Sequence, residues 1–234
     1  MNHGEGIVRS TVRLPAGEVE LDGDLTLPAN ARGIVLFAHG SGSSRHSPRN
    51  RQVAAALHRA GYATLLMDLL TADEEEIDQH TRELRFDIPT LAARLSRAVD
   101  WLGQRTDTEA LPVAIFGAST GAAAALVTAA DRADRVRLVI SRGGRPDLAG
   151  EALSRVAAPT LMIIGGADLQ VLQLNREAAA QMSTDVDLRV VPDATHLFPE
   201  PGALEEVIDL AVLALDRYLG NGHDDRRRRP GGGR

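Results

Sequence analysis

Between residues 33 and 191 the chain alternates short, wholly apolar runs with longer segments in which apolar residues recur every three or four positions. The runs Gly33 to Ala38, Tyr62 to Met67, Val113 to Phe116, Val136 to Ile140 and Thr160 to Ile164 lack the alternation of a half-exposed strand. Runs of this length without polar alternation fit strands covered on both faces. Leu188 to Val191 is a weaker last strand. Helical spacing fills the intervals near 48–60, 81–103, 120–131, 170–182 and 202–219. It is clearest in the last, where Leu204, Val207, Ile208, Ala211, Val212 and Leu215 share one face. Ahead of these units, residues 7–14 and 18–27 read as two extended segments joined at Pro15-Ala16-Gly17, an antiparallel hairpin. The pattern predicts an α/β fold, a doubly wound, mostly parallel sheet with an N-terminal antiparallel hairpin. In such sheets ligands bind beyond the carboxyl ends of the strands, so the loops after each strand hold the candidate chemistry.

Composition narrows the function classes. At 234 residues the length suits one domain, assigned to residues 1–220. Residues 221–234 read N-G-H-D-D-R-R-R-R-P-G-G-G-R and are expected to form a disordered tail, because glycine and like charges bury no apolar surface. The absence of cysteine excludes disulfides, thiolate catalysis and cysteine-ligated metal. No apolar run approaches the ~18 residues of a membrane span, and the start, M-N-H-G-E-G, lacks a signal-peptide core. The expectation is a soluble, cytoplasmic protein with no membrane partner. A net charge of −6 and 3% aromatic residues disfavour nucleic-acid binding. Every one of the 26 basic residues is arginine, so only the placement of an arginine carries information.

The chemistry concentrates after three of the predicted strands. Gly117-Ala118-Ser119-Thr120-Gly121 follows the strand Pro112 to Phe116 and opens the small-residue helix A-A-A-A-L-V-T-A-A. This is G-x-S-x-G in the strand–turn–helix context of a nucleophile elbow, a turn too tight for side chains two residues either side of the serine. A serine hydroxyl needs a base, and the base an orienting acid. Asp168 ends Gly165-Gly166-Ala167-Asp168 after the strand Leu161 to Ile164. His196 lies past the last strand and is the only histidine between Ser119 and the tail. Asp168 has an alternative reading as a helix N-cap, and Asp193 is a rival acid three residues before His196. The loop His39-Gly40-Ser41-Gly42-Ser43-Ser44 is glycine-rich without G-K-[ST] or G-x-G-x-x-G, which disfavours a nucleotide role. It suits the second amide of an oxyanion hole, from Ser41, beside that of Thr120. His39 reads as a structural loop residue.

Taken together, H-G-S-G, G-A-S-T-G, G-G-A-D and A-T-H, in that order over residues ~7–219, resemble the α/β-hydrolase superfamily, specifically its dienelactone-hydrolase-like branch of compact, lidless enzymes. The resemblance implies Ser119 as nucleophile, Asp168 as acid, His196 as base and Ser41 and Thr120 as oxyanion amides. The namesake enzymes use cysteine where this chain has serine, and a proline usual shortly after the acid is missing from Leu169-Gln170-Val171-Leu172.

Only residues 141–159 separate two predicted strands in the interval where a lid domain is usually inserted, so an open or shallow pocket is expected. Arginines crowd the loops of the predicted active edge: Arg45, Arg49 and Arg51, Arg82 and Arg85, and Arg142 and Arg145. Guanidinium forks bind carboxylates and phosphates, which makes Arg45 and Arg142 candidate substrate ligands. The acidic run Asp73-Glu74-Glu75-Glu76 could instead pair with several of them. The expected activity is a serine hydrolase that cleaves ester or lactone bonds of small molecules, anionic ones included, through a Ser-His-Asp triad and an acyl-enzyme. No cofactor or metal is implied, and the oligomeric state is left open. Alternatives are a thioesterase or acyltransferase on the same triad, or a non-catalytic binding module on the same fold.

Overall fold

A computed structural model describes residues 6–220; the arginine-rich tail lies outside the described residues. Eight strands form one sheet: β1 (Ile7–Pro15), β2 (Glu20–Pro28), β3 (Ile34–Ala38), β4 (Ala63–Met67), β5 (Val113–Ala118), β6 (Val136–Arg142), β7 (Thr160–Gly165) and β8 (Val186–Val191). Their spatial order is β1-β2-β4-β3-β5-β6-β7-β8. β1 and β2 pair antiparallel, as does β2 with β4, and the strands from β4 through β8 run parallel. The doubly wound sheet and its opening hairpin are therefore as the sequence pattern predicts. Winding reverses between β3 and β5, and the crevice beyond that switch point lies between His39 and Ser119.

Every residue of β3, β4 and β5 is buried, which is why these runs carry no polar alternation. Alternate side chains enter different cores. Ile34, Leu36, Val113 and Ile115 pack on one side with Leu95, Val99 and Leu126. Val35, Phe37, Ala114 and Phe116 pack on the other with Val53, Leu57, Val207 and Leu215. The Phe37 and Phe116 rings meet at 5.1 Å between centroids.

The first core is covered by α3 (Ile88–Leu102) and α4 (Thr120–Asp131), the second by α1 (Pro48–Arg59) and α6 (Ala203–Tyr218). α5 (Leu169–Ala179) follows β7. In α4 the stretch Ala122 to Leu126 is fully buried, since side chains this small let the helix lie close on the sheet.

The helix expected over 81–103 starts only at Ile88; a separate helix ends at Thr81, before the expected span, and a 3-10 turn, Leu84–Phe86, lies between the two. α2 (Ala72–Thr81) ends at Arg82, whose φ of 59° is left-handed. α3 starts at Ile88 because Asp87 caps it by accepting from the Thr90 amide, and because Pro89 fits a first helical turn and not a helix interior. α2 has no apolar stripe to betray it. Its start is fixed by a capping box, with Thr71 and Glu74 each accepting the other's amide, and by Asp73, Glu74 and Glu75 at the positive end of its dipole. Between β6 and β7 the chain holds a turn and a 3-10 segment, Pro146–Arg155, kinked at Gly150. No inserted lid stands over the edge among the described residues.

Candidate active site

Ser119 joins β5 to α4 with φ 50° and ψ −121°, a positive φ that costs a residue with a Cβ about 1–3 kcal/mol. The flanking glycines make this turn possible, and a Cβ on Gly117 would also come within 2.8 Å of the Gly121 carbonyl. A Cβ on Gly117 would lie 2.5 Å from the Ala122 Cα, and one on Gly121 only 2.2 Å from the Ala38 carbonyl of β3. The serine is thus lifted above the sheet by a backbone pressed against its own helix on one side and the neighbouring strand on the other.

His196 and Asp168 meet on the same edge. The imidazole Nδ1 lies 2.7 Å from Asp168 Oδ2. Asp168 stands at the N-cap of α5, yet its side chain makes no capping bond, so the capping alternative is not what this carboxylate does. Asp193, the rival acid, sits in a left-handed turn at φ 57°. Gly143 backs the imidazole: at φ 51°, a Cβ there would meet the His196 carbonyl at 3.0 Å. Thr195 donates its amide and its hydroxyl to Glu200 Oε1, at 3.1 and 2.6 Å, which fixes the loop that carries the histidine. Neither Gly143 nor Glu200 carried a signal in the sequence: Gly143 acts through a contact remote along the chain, and Glu200 through a local loop bond that no motif announces.

The loop after β3 closes the third side. Gly40 passes so close that a Cβ on it would be 3.1 Å from Ser119 Cβ. The Ser41 and Thr120 hydroxyls lie 3.0 Å apart and clip this loop to the start of α4. The Thr120 amide, in the first turn of α4, has no intrahelical acceptor. His39 is buried: its Nε2 accepts from the Leu69 amide at 3.0 Å, so Nδ1 carries the proton and donates to the Gly40 carbonyl at 2.9 Å. Burial pushes its pKa below the ordinary histidine value, with the Gly40 bond opposing. A neutral His39 that braces the loop fits the structural reading. Ser41, Ser119 and His196 line one cleft of about 560 Å³.

The α/β-hydrolase domain family matches residues 31–209 of the chain. The chain belongs to the α/β hydrolases. A dienelactone hydrolase of Anabaena variabilis is 57% identical, with a TM-score of 0.89 over 91% of this chain and 99% of that one. This likeness sets the chain in the dienelactone-hydrolase-like branch. An esterase of Pyrococcus furiosus, 18% identical, shares the fold with a TM-score of 0.70 over 92% of this chain and 94% of its own. A Mycobacterium tuberculosis protein, provisionally named a phosphoribosyl transferase, is 58% identical over 208 residues, 89% of this chain and 45% of the relative. The chain thus spans under half the length of that curated relative.

The edge of this hydrolase sorts its arginines into two kinds. Arg45 bonds Asp68 through its amide, at 2.7 Å, and through its guanidinium, with Asp22 and Asp24 at 3.5 and 3.9 Å. Its charge is committed to carboxylates in a second, adjoining cleft. Arg51 pairs with Asp24, Arg85 with the fully buried Asp78, and Arg145 with Asp147. The acidic run takes none of these: Glu74 of α2 holds Arg94 of α3 at 2.6 Å. Arg82 is exposed. Arg142, at the end of β6, is 6% exposed, and its Nε and Nη1 have no partner. Burial, and then the charge of Arg49, push its pKa down to about 10, so it stays cationic at neutral pH. Arg49 Nε is likewise buried without a partner. Both arginines line the Ser119 cleft, and among the described residues no carboxylate does.

Proposed function

We infer that this α/β hydrolase is a serine hydrolase acting on ester or lactone bonds of small molecules. The single observation that carries the reading is the bond between His196 and Asp168 in the cleft above a strained Ser119. In this reading the Ser119 hydroxyl attacks the carbonyl carbon while His196 Nε2 takes its proton. Asp168 holds the imidazole by Nδ1 and stabilises the imidazolium that forms. The Ser41 and Thr120 amides receive the developing oxyanion, where one lost donor costs ~10²–10³ in rate. The imidazolium returns its proton to the leaving alcohol, and an acyl group remains on Ser119. Water, activated by His196, then repeats the sequence in reverse order and frees the acid. The cleft without a lid favours compact substrates over long buried acyl chains.

The test is a fluorophosphonate probe and a short p-nitrophenyl ester, with wild type beside Ser119→Ala. The expected result is labelling and ester turnover in wild type and neither in the variant. Folded wild type that resists the probe and leaves the ester intact would overturn the reading. Competing alcohols in the same assay separate hydrolysis from acyl transfer by product.

A further inference from the structure

The Ser119 cleft carries two cationic side chains with no counter-charge of their own. A guanidinium is rarely buried unless paired, because an unpaired charge loses its hydration and gains nothing in return. Here Arg142 is nine-tenths buried, its Nε and Nη1 meet no acceptor among the described residues, and the like charge of Arg49 acts on it. Arg49 in turn has a buried, unpartnered Nε. It stands in the first turn of α1, whose N-terminal residues Ser47 and Pro48 also face the cleft, so the positive end of that helix adds to the field. The remaining titratable groups on the lining are His46, which accepts from Arg51 at 2.5 Å, and His196. The arrangement lacks about two negative charges.

We propose that Arg49 and Arg142 form a binding site for a phosphate-like dianion borne by the molecule that Ser119 attacks. A monocarboxylate would neutralise one guanidinium and leave the other without a counter-charge. A phosphate monoester carries about −1.5 to −2 at neutral pH, with three oxygens to accept from both forks. The substrate class is therefore a small phosphorylated ester or lactone, the phosphate on Arg49 and Arg142 and the acyl carbon at Ser119. The link to Ser119 rests on the serine-hydrolase reading; the anion site itself does not.

Two measurements separate these claims. Inorganic phosphate is titrated calorimetrically into the whole protein as wild type, Ser119→Ala, Arg49→Gln and Arg142→Gln, each checked for fold by circular dichroism, with sulfate and acetate as companion ions. Phosphate and sulfate should bind wild type and Ser119→Ala alike and bind each arginine variant about ten- to a hundredfold more weakly, the scale of a lost charged hydrogen bond. Acetate should bind poorly everywhere. Arg49→Gln, at the less buried position, keeps the test open should Arg142→Gln not fold. No phosphate binding to folded wild type, equal binding by the arginine variants, or acetate as tight as phosphate would each overturn the proposal. The second measurement compares the p-nitrophenyl esters of phosphoglycolic acid and of methoxyacetic acid. The ratio of kcat/KM for the phosphorylated ester to that for the neutral one should fall about tenfold or more in the arginine variants, by the same loss of a charged bond. Ester turnover that needs Ser119, without phosphate binding, leaves the hydrolase reading standing and removes the anion site. Arginine-dependent phosphate binding without any ester turnover does the reverse.

Discussion

Two clefts adjoin on the carboxyl edge of the sheet, sharing Gly42, Ser43 and Ser44, and they treat arginine in opposite ways. In the first, Arg45 lies among Asp68, Asp22 and Asp24, with Glu20, Asp73 and Glu75 on the same lining. In the second, Arg49 and Arg142 face Ser119 and His196 without a carboxylate. The sequence presents Arg45 and Arg142 as equals, each just beyond a strand. Three carboxylates brought in from β2 and the end of β4 make one of them a fastening and leave the other open. A residue's type and its place along the chain therefore say less than the sum of charge around it. Unbalanced charge under burial marks the surface that meets a ligand.

The largest effect should come from the second cleft. Ser119→Ala should lower ester turnover by ~10⁴–10⁶, while Asp73→Asn in the first cleft should leave it unchanged; comparable losses from both would dissolve the contrast. Next is the fastening itself. Asp68→Ala takes the shortest partner from the Arg45 guanidinium, leaves it only the longer contacts to Asp22 and Asp24, and should cost about 1 kcal/mol in urea denaturation, less than a fully buried pair would. Arg142→Met should run the other way, with a gain on the order of 1 kcal/mol, since it removes a buried charge that nothing in the fold balances. A loss there would mean that Arg142 is structural. The smallest effect is acid sensitivity around α2. The Glu74 carboxyl is held below its ordinary 4.5 chiefly by Arg94, against its partial burial. A lowered folded pKa adds stability that is full above the unfolded value and fades as the pH falls through the folded one. Melting temperatures of wild type and Glu74→Gln should differ by a degree or two at neutral pH and converge toward pH 3.

Much of this was legible in the sequence because it is local. Uninterrupted apolar runs announce strands covered on both faces, and G-A-S-T-G between a strand and a small-residue helix announces the elbow. The order of Ser119, Asp168 and His196 follows from the same edge logic. What was not legible depends on contacts between distant segments. α2 reads as an acidic run because it buries little, and only Thr71 and Glu74 acting as a reciprocal cap reveal it. Gly121 is required by the Ala38 carbonyl, far back in the chain, and not by its neighbours in the turn. Arg49 was visible only as one of many arginines until the absence of a carboxylate around it could be seen. The resemblance to the dienelactone-hydrolase-like branch announces the fold, whereas which arginines are paired is read only from the folded surface.

Asp168 stands where a helix is ordinarily fastened, and it has turned away. Its carboxylate reaches across to His196, so the opening amides of α5 have no side-chain acceptor from that position. Ser, Thr, Asn or Asp at such a place usually secures about 0.5–2 kcal/mol of helix. The fold has forgone that sum at the start of α5. A descendant released from the need to hold an imidazole would be free to reclaim it by a turn of one side chain, with no change of backbone. The start of α5 thus stands without its side-chain cap, and the carboxylate that could have supplied it bonds the imidazole instead.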